Sequence, residues 1–275
     1  MKIDSHQHFW IYDAQQYPWI PGGSQLQRNW LPADLECEQA KLGLDGSIAV
    51  QARQTVEESW WLLQLADRHS IIKGVVGWVD LRSKQIDEQL EALAKHPKFV
   101  GVRHVVQDEP DDRFLLGEAF VRGLARLPFY KLTYDLLIFP RQLPAAIELV
   151  AQFPDQPFVL DHIAKPLIRE GKISPWREQI RELAQAANVW CKVSGMITEA
   201  NHQHWSADDF KPYLDVVFEC FGVDRLMFGS DWPVCLLSGN YEAVFALVRD
   251  YAAGLTENDR EKLFGVNAAR FYGLA

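Results

Sequence analysis

The chain is 275 residues long, 48% hydrophobic and 24% charged, with a formal net charge of −9. That is an ordinary globular composition, long enough for a large core, and its acidic balance without a basic stripe disfavours nucleic acid and anionic membranes as partners. No apolar run reaches the ~18 residues a membrane span needs, and the N-terminus lacks the charged-then-apolar layout of an export signal. Cys37, Cys191, Cys220 and Cys235 form neither a CxxC pair nor a zinc-ribbon spacing, so they read as reduced thiols in a cytoplasmic protein.

The chain opens on MKIDSHQHFW. Read as a strand, residues 3–8 turn His6 and His8 to one face, since side chains two apart on a strand share a face. Two imidazoles one pleat apart suit a shared metal ion or a shared anion. Residues 9–33 show no regular periodicity. A stretch that long in a compact fold is functional or disordered, and its Trp10, Tyr12, Tyr17, Trp19 and Trp30 argue for an ordered lid or pocket wall. Seven more apolar, β-branched runs lie at 46–52, 74–81, 99–106, 131–138, 157–163, 189–195 and 224–231. Several are apolar on both faces, the pattern of parallel strands covered on both sides. Helical periodicity fills the intervals at 56–69, 83–96, 112–127, 141–153, 174–188 and 206–222, then at 240–253 and 256–272. Pro144 comes early enough in its helix to be tolerated. Ser174 and Pro175 read as N-cap and first helical residue, and Thr256 with Asp259 resembles a capping box. Eight strands alternating with helices, undivided by linker, repeat or low-complexity tract, predict an α/β fold, a single (β/α)8 barrel over residues 1–275.

In such a barrel catalytic groups sit where the strands end, and most of these runs carry something polar at or near that end. The residues are His6 and His8, Gln51, Arg103 and His104, Asp135, Asp161 and His162 with Lys165 just beyond, Lys192 and Ser194, and finally Ser230, Asp231 and Trp232. One such residue means little, but six converging on one rim are costly to bury without purpose. Arg103 shares the Gly101 face, where a pocket has room. His104 faces the other way and reads equally as packing behind the barrel. Asp135 reads as structural and Asp161 as a rim or cap residue, with His162 the better candidate. Asp231 stands out: it ends the eighth run on the Gly229 face, with space for water beside it, and a buried carboxylate there needs a partner. His202 and His204 repeat the His-x-His spacing inside a polar loop and read as solvated.

The words DSHQHFW, YPWI, DGSIAVQA, GWVDL, GVRHVVQ, DHIAKP, KVSGMITEA and FGSDWPV span nearly the whole chain. Together they resemble the amidohydrolase superfamily, and within it the amidohydrolase-related branch of sugar lactonases that includes L-fuconolactone and L-rhamnonolactone hydrolases. The resemblance implies a distorted barrel that hydrolyses a small-molecule sugar lactone. Binuclear members use a carboxylated lysine at the fourth strand and a histidine at the fifth. Arg103 and His104 stand at the fourth here and no histidine at the fifth, so at most one divalent ion (zinc) is expected, on some of His6, His8, His162 and Asp231. Metal-independent members of the branch leave a metal-free route open, since a lactone carbonyl is electrophilic enough for polarisation by Arg103 and the histidines to suffice. The expected roles are Asp231 as general base on water, and His6, His8, His162 and Arg103 around the developing oxyanion. Lys165, Gln51 and His104 are expected as polar contacts to the sugar, and Trp30 and Trp232 as flat walls. With Arg103 and Lys165 the only clear cations in view, a neutral polyhydroxy lactone fits better than a dicarboxylated one. The rival readings are a metal-dependent decarboxylase of the same superfamily and a non-enzymatic sugar-binding protein.

Overall fold

A computed structural model describes residues 1–274. Eight parallel strands form one sheet in the order β1 to β8: β1 Ile3–Gln7, β2 Gly46–Val50, β3 Ile72–Gly77, β4 Phe99–Val105, β5 Thr133–Leu137, β6 Phe158–Leu160, β7 Val189–Val193 and β8 Leu226–Phe228. The sheet closes on itself where Gln7 bridges Trp232 in parallel, with His8 N–H donating to the Trp232 carbonyl at 2.7 Å and Asp231 N–H to the His6 carbonyl at 2.8 Å. The expected (β/α)8 barrel is therefore present, and its closing seam runs through four of the candidate site residues, His6, His8, Asp231 and Trp232.

Helices cover the sheet: α1 Pro32–Leu42, α2 Val56–Arg68, α3 Ile86–Ala94, α4 Glu118–Leu124, α5 Leu143–Gln152, α6 Trp176–Leu183, α7 Met196–Glu199, α8 Ala207–Phe221, α9 Tyr241–Tyr251, α10 Glu257–Glu261 and α11 Asn267–Tyr272. Leu62, Leu90, Leu149, Ile180, Val217 and Val248 on their inner faces pack on Val75, Val102, Leu136 and Phe228 of the strands. A second set of strand side chains, Ile3, Ile48, Val50, Val76, Val159 and Met227, packs with Ala268, Phe271 and Tyr272 of α11. Apolar filling at one end of the barrel leaves the other end for polar chemistry.

Three expectations need correcting. The irregular segment ends at Leu31, because Pro32 opens α1. Only Pro32, Leu35 and Gln39 of that helix are buried, so its apolar periodicity is faint. The helix expected at 112–127 is broken into a short turn at Phe114–Leu116 and α4, and that expected at 256–272 is interrupted by a wide turn at Lys262–Val266. Pro175, not Ser174, occupies the N-cap of α6, and the Ser174 hydroxyl donates instead to Glu178. Thr256 does cap α10, accepting from Asp259 N–H.

Candidate active site

The site is built at the seam. Asp4, fully buried on β1, accepts from His6 N–H (3.0 Å), Ser230 N–H (2.9 Å), the Ser230 hydroxyl and the Tyr241 hydroxyl (2.9 Å). One carboxylate thereby fixes the two segments carrying the histidines and Asp231. Burial, opposed by those hydrogen bonds, raises its pKa to about 6.

β8 stops at Phe228, and Asp231 follows in the left-handed region with φ 56°. Its direction is therefore set by a strained turn rather than by strand alternation. Gly229 leaves no room for water either, because a Cβ there would lie 2.8 Å from the His6 Cβ, so the glycine permits the seam to close. After β6, His162, Ile163, Ala164 and Lys165 run consecutively at φ 54°, 48°, 59° and 49°. Non-glycine residues held there cost on the order of 1–3 kcal/mol each, and such strain gathers at functional sites. Gly195 makes space for this turn, since a Cβ would lie 2.4 Å from His162 Nδ1. The Ser194 hydroxyl meets that nitrogen at 2.9 Å.

These turns aim four side chains at one point. His6 Nε2 and His8 Nε2 are 3.2 Å apart. Asp231 Oδ1 lies 3.3 Å from His8 Nε2 and 3.9 Å from both His6 Nε2 and His162 Nε2. Burial lowers the pKa of all three imidazoles, His162 to about 4, so they are neutral at pH 7. For Asp231, burial pushes upward, but His162, His8 and His6, protonated in the acid range where it titrates, outweigh that and hold the carboxyl well below the usual range. It is ionised throughout the neutral range.

The donors fit a divalent cation. His8 Nδ1 is 2.8 Å from the Val50 carbonyl, which only accepts, so the lone pair is on Nε2. His6 turns Nε2 to the same point, with its Nδ1 lying 3.1 Å from Lys192 Nζ and 3.4 Å from Asp161 Oδ1. Two imidazole nitrogens and a carboxylate oxygen then converge, a donor set that suits a positive ion. A tetrahedral zinc with bonds of about 2.0–2.1 Å sets its donors about 3.3 Å apart, close to the two shortest separations here. A second grouping, His6, Asp161 and His162, shares His6 and draws on an aspartate already committed elsewhere.

That commitment lies beneath the histidines. Arg103 Nη1 reaches Asp161 Oδ2 at 3.1 Å and His6 Nε2 at 3.2 Å. Lys192 Nζ, wholly buried, is 2.9 Å from Asp161 Oδ1, 3.1 Å from His6 Nδ1, and also pairs with Asp135. Burial raises the Asp161 pKa, but Lys192, His6 and Arg103 win and hold it well below its ordinary value. For Asp135 burial wins and the pKa is raised; its other partner is the Tyr272 hydroxyl, at 2.9 Å. Asp161 is thus the orienting carboxylate of the interior rather than a rim cap, and Lys192 is its main counter-ion.

A cavity of about 290 Å³ opens above, its floor formed by His8, Arg103, His162 and Asp231, with Lys165 at one side. Gln16, Pro18 and Trp19 of the 9–31 segment and Ala52, Arg53 and Gln54 after β2 form another wall. The segment therefore covers the mouth as expected. Four expected sugar contacts do not reach the cavity. Trp30 and Trp232 stack edge to face at 5.1 Å and are buried, welding the segment to the end of β8. Gln51 is turned to the Arg103 carbonyl. His104 faces behind β4, 2.7 Å from Glu109 and stacked on Phe114. Trp19, Gln16 and Arg53 line the cavity instead, and Arg53 adds a third cation. His202 and His204 are exposed and do not line the cavity, and all four cysteines are unpaired.

The amidohydrolase family model matches residues 3–274, and the chain belongs to that family. It is 43% identical over 286 residues to an L-fucono-1,5-lactonase of Burkholderia multivorans, covering 100% of this chain and 96% of the relative. A second L-fucono-1,5-lactonase, from Burkholderia ambifaria, is 36% identical, covering 98% of this chain and 95% of the relative. A crystal structure of an amidohydrolase from Burkholderia multivorans with bound zinc superposes with a TM-score of 0.96 at 42% identity, over all of both chains. Among the described residues no helix is long and apolar enough to cross a membrane.

Proposed function

We propose that the protein hydrolyses a sugar-acid lactone of the L-fucono-1,5-lactone type to the open aldonate, with the whole chain acting as one catalytic domain. The observation that carries the reading is Asp231: a buried carboxylate on the floor of a small cavity, within 3.9 Å of His6, His8 and His162 and sharing that floor with the Arg103 guanidinium. Two relatives named for this activity, alike over nearly their full length, support the substrate class.

Water attacks the lactone carbonyl carbon, its proton passes to Asp231, and Asp231 returns that proton to the departing ring oxygen as the ring C–O bond breaks, leaving a carboxylic acid that ionises in water. A carboxylate held so far down is a weak base, but it is always ionised and its position is fixed. A lactone asks less of its base than an amide does. Arg103 and His162 offer donors to the oxyanion, a contribution on the order of 10²–10³ in kcat for one such donor. Lys165, Arg53 and Gln16 are placed for the sugar hydroxyls and the new carboxylate. A zinc ion on His6, His8 and Asp231 would add Lewis-acid polarisation of the carbonyl. A binding protein would have no use for an ionised carboxylate buried at this cost. Free cysteines, two of the four buried, support a cytoplasmic setting, and the net charge of −9 gives no reason to invoke a nucleic-acid partner.

The test is a pH-indicator assay against a panel of aldonolactones, with and without chelator, alongside metal analysis. The expected result is rapid opening of L-fucono-1,5-lactone and at most one divalent ion per chain. No turnover of any aldonolactone by zinc-loaded protein would overturn the reading, and two ions per chain at full occupancy would overturn the single-ion assignment.

A further inference from the structure

Glu58 is a wholly buried carboxylate on α2 that lines no part of the cavity, yet it ties together the two loops forming one of its walls. It stands three residues after Thr55, whose hydroxyl accepts from Glu58 N–H at 3.1 Å. That Thr-x-x-Glu spacing has the form of a capping box, in which the glutamate would reach back to the threonine backbone. Here it goes further. Glu58 Oε2 accepts from Ala52 N–H at 3.0 Å and Arg53 N–H at 2.8 Å, and Oε1 accepts from the Tyr17 hydroxyl at 3.1 Å. Tyr17 belongs to the 9–31 segment; Ala52 and Arg53 belong to the turn after β2.

The other links between these loops are made by cavity residues themselves. Trp19 Nε1 donates to the Ala52 carbonyl at 3.1 Å, the Arg53 guanidinium pairs with the Gln16 side chain, and it also lies 5.6 Å from the Tyr17 ring centroid. The Trp19 and Arg53 hydrogen bonds are exposed and join residues that line the cavity. Glu58 anchors both loops to a helix, and the backbone donors it holds are those of Arg53 and of Ala52 before it.

We propose that Glu58 is a positioning residue for substrate recognition, setting the Arg53 and Trp19 wall against the sugar without touching it. The proposal rests on the lactonase reading for its substrate. It assigns Glu58 to binding and leaves the chemistry to the seam. All three partners are donors in the ionised state. A glutamine carbonyl would still accept both N–H groups while its amide donates to a turned Tyr17 hydroxyl, so the shape of the tie survives loss of the charge.

The test is steady-state hydrolysis of L-fucono-1,5-lactone by E58A, E58Q and Y17F, with amide hydrogen exchange over residues 16–19 and 52–54. E58A should raise KM roughly tenfold or more with kcat within about threefold, the signature of lost binding common to ground and transition states. E58Q should restore KM to within about threefold of the wild type and Y17F should fall between, the partial loss of one arm. Exchange should quicken in E58A and return to wild-type rates in E58Q. A folded E58A with unchanged KM, a fall in kcat at constant KM, or an E58Q as impaired as E58A would each overturn the assignment. If E58A fails to fold, a Y17F with unchanged KM overturns it. If the wild type opens no aldonolactone, the lactonase reading fails separately. The exchange rates then still decide whether Glu58 braces the wall.

Discussion

The seam between β8 and β1 and the wall over the cavity are held by different means. At the seam, backbone hydrogen bonds join His6, His8, Asp231 and Trp232, Asp4 accepts four donors, and every group is buried. The wall rests on side-chain contacts between loops, with Trp19 39% exposed and one buried carboxylate beneath. The contrast separates two demands. Proton transfer and charge stabilisation need donors and acceptors fixed by the barrel itself, whereas recognition can be carried by loops whose side chains are exchangeable without cost to the barrel.

Breaking the interior side of this comparison has the largest expected effect. Arg103→Met leaves Asp161 with Lys192 as its remaining full counter-ion, and breaking such a buried pair costs on the order of 3–5 kcal/mol. Urea unfolding at neutral pH should show that loss together with loss of lactone opening. An effect under about 1 kcal/mol would place Arg103 outside the network's balance.

Sharpening the wall side uses pH. Burial raises the Glu58 pKa from 4.5 to about 7, with Arg53 the charged group and Tyr17 the neutral donor facing it. The folded state holds the proton more tightly than the unfolded chain. The stability this confers is complete below about pH 4.5 and is lost as pH rises through about 7. Glutamine cannot titrate. The stability of E58Q relative to the wild type should therefore rise by on the order of 2–3 kcal/mol between pH 4.5 and 8. Melting curves across that window check it, and a flat difference would mean that Glu58 stays ionised throughout.

Asp4→Asn is the mildest change. It keeps an acceptor for the two backbone N–H groups and removes one from the Ser230 and Tyr241 hydroxyls, which can turn. A loss of about 1–3 kcal/mol is expected in thermal melts. A neutral result would show that the seam closes without this carboxylate.

The sequence made the barrel legible because eight apolar runs separated by helical periods leave few alternatives. It also brought His6, His8, Arg103, His162, Lys165 and Asp231 forward, since polar residues closing apolar strands are costly unless used. It misled where only alternation was available. Gln51, Trp232 and His104 lie near the right rim, but alternation gives a face and not a depth, and Trp30 sits in a segment with no period at all; each spends its polar atoms or its ring on packing. Asp231 was found on the wrong ground, because it points into the site from a left-handed turn rather than from a pleat. Gln16, Trp19 and Arg53 sit on loops, where no period marks which side chain turns inward. Asp161 and Lys192 gain their meaning from partners more than thirty residues away, and Glu58 looks like an ordinary acid at a helix start.

The claim that the seam carries the chemistry is tested most directly by Asp231→Asn, with kcat for L-fucono-1,5-lactone and a melting curve measured on the same preparation. Asparagine keeps the shape but cannot accept the proton. The expected result is a fall in kcat on the order of 10²–10⁴, the scale of general base catalysis, in a protein that still folds cooperatively. A variant that melts early yet turns over at the wild-type rate would make Asp231 a strut and contradict the account.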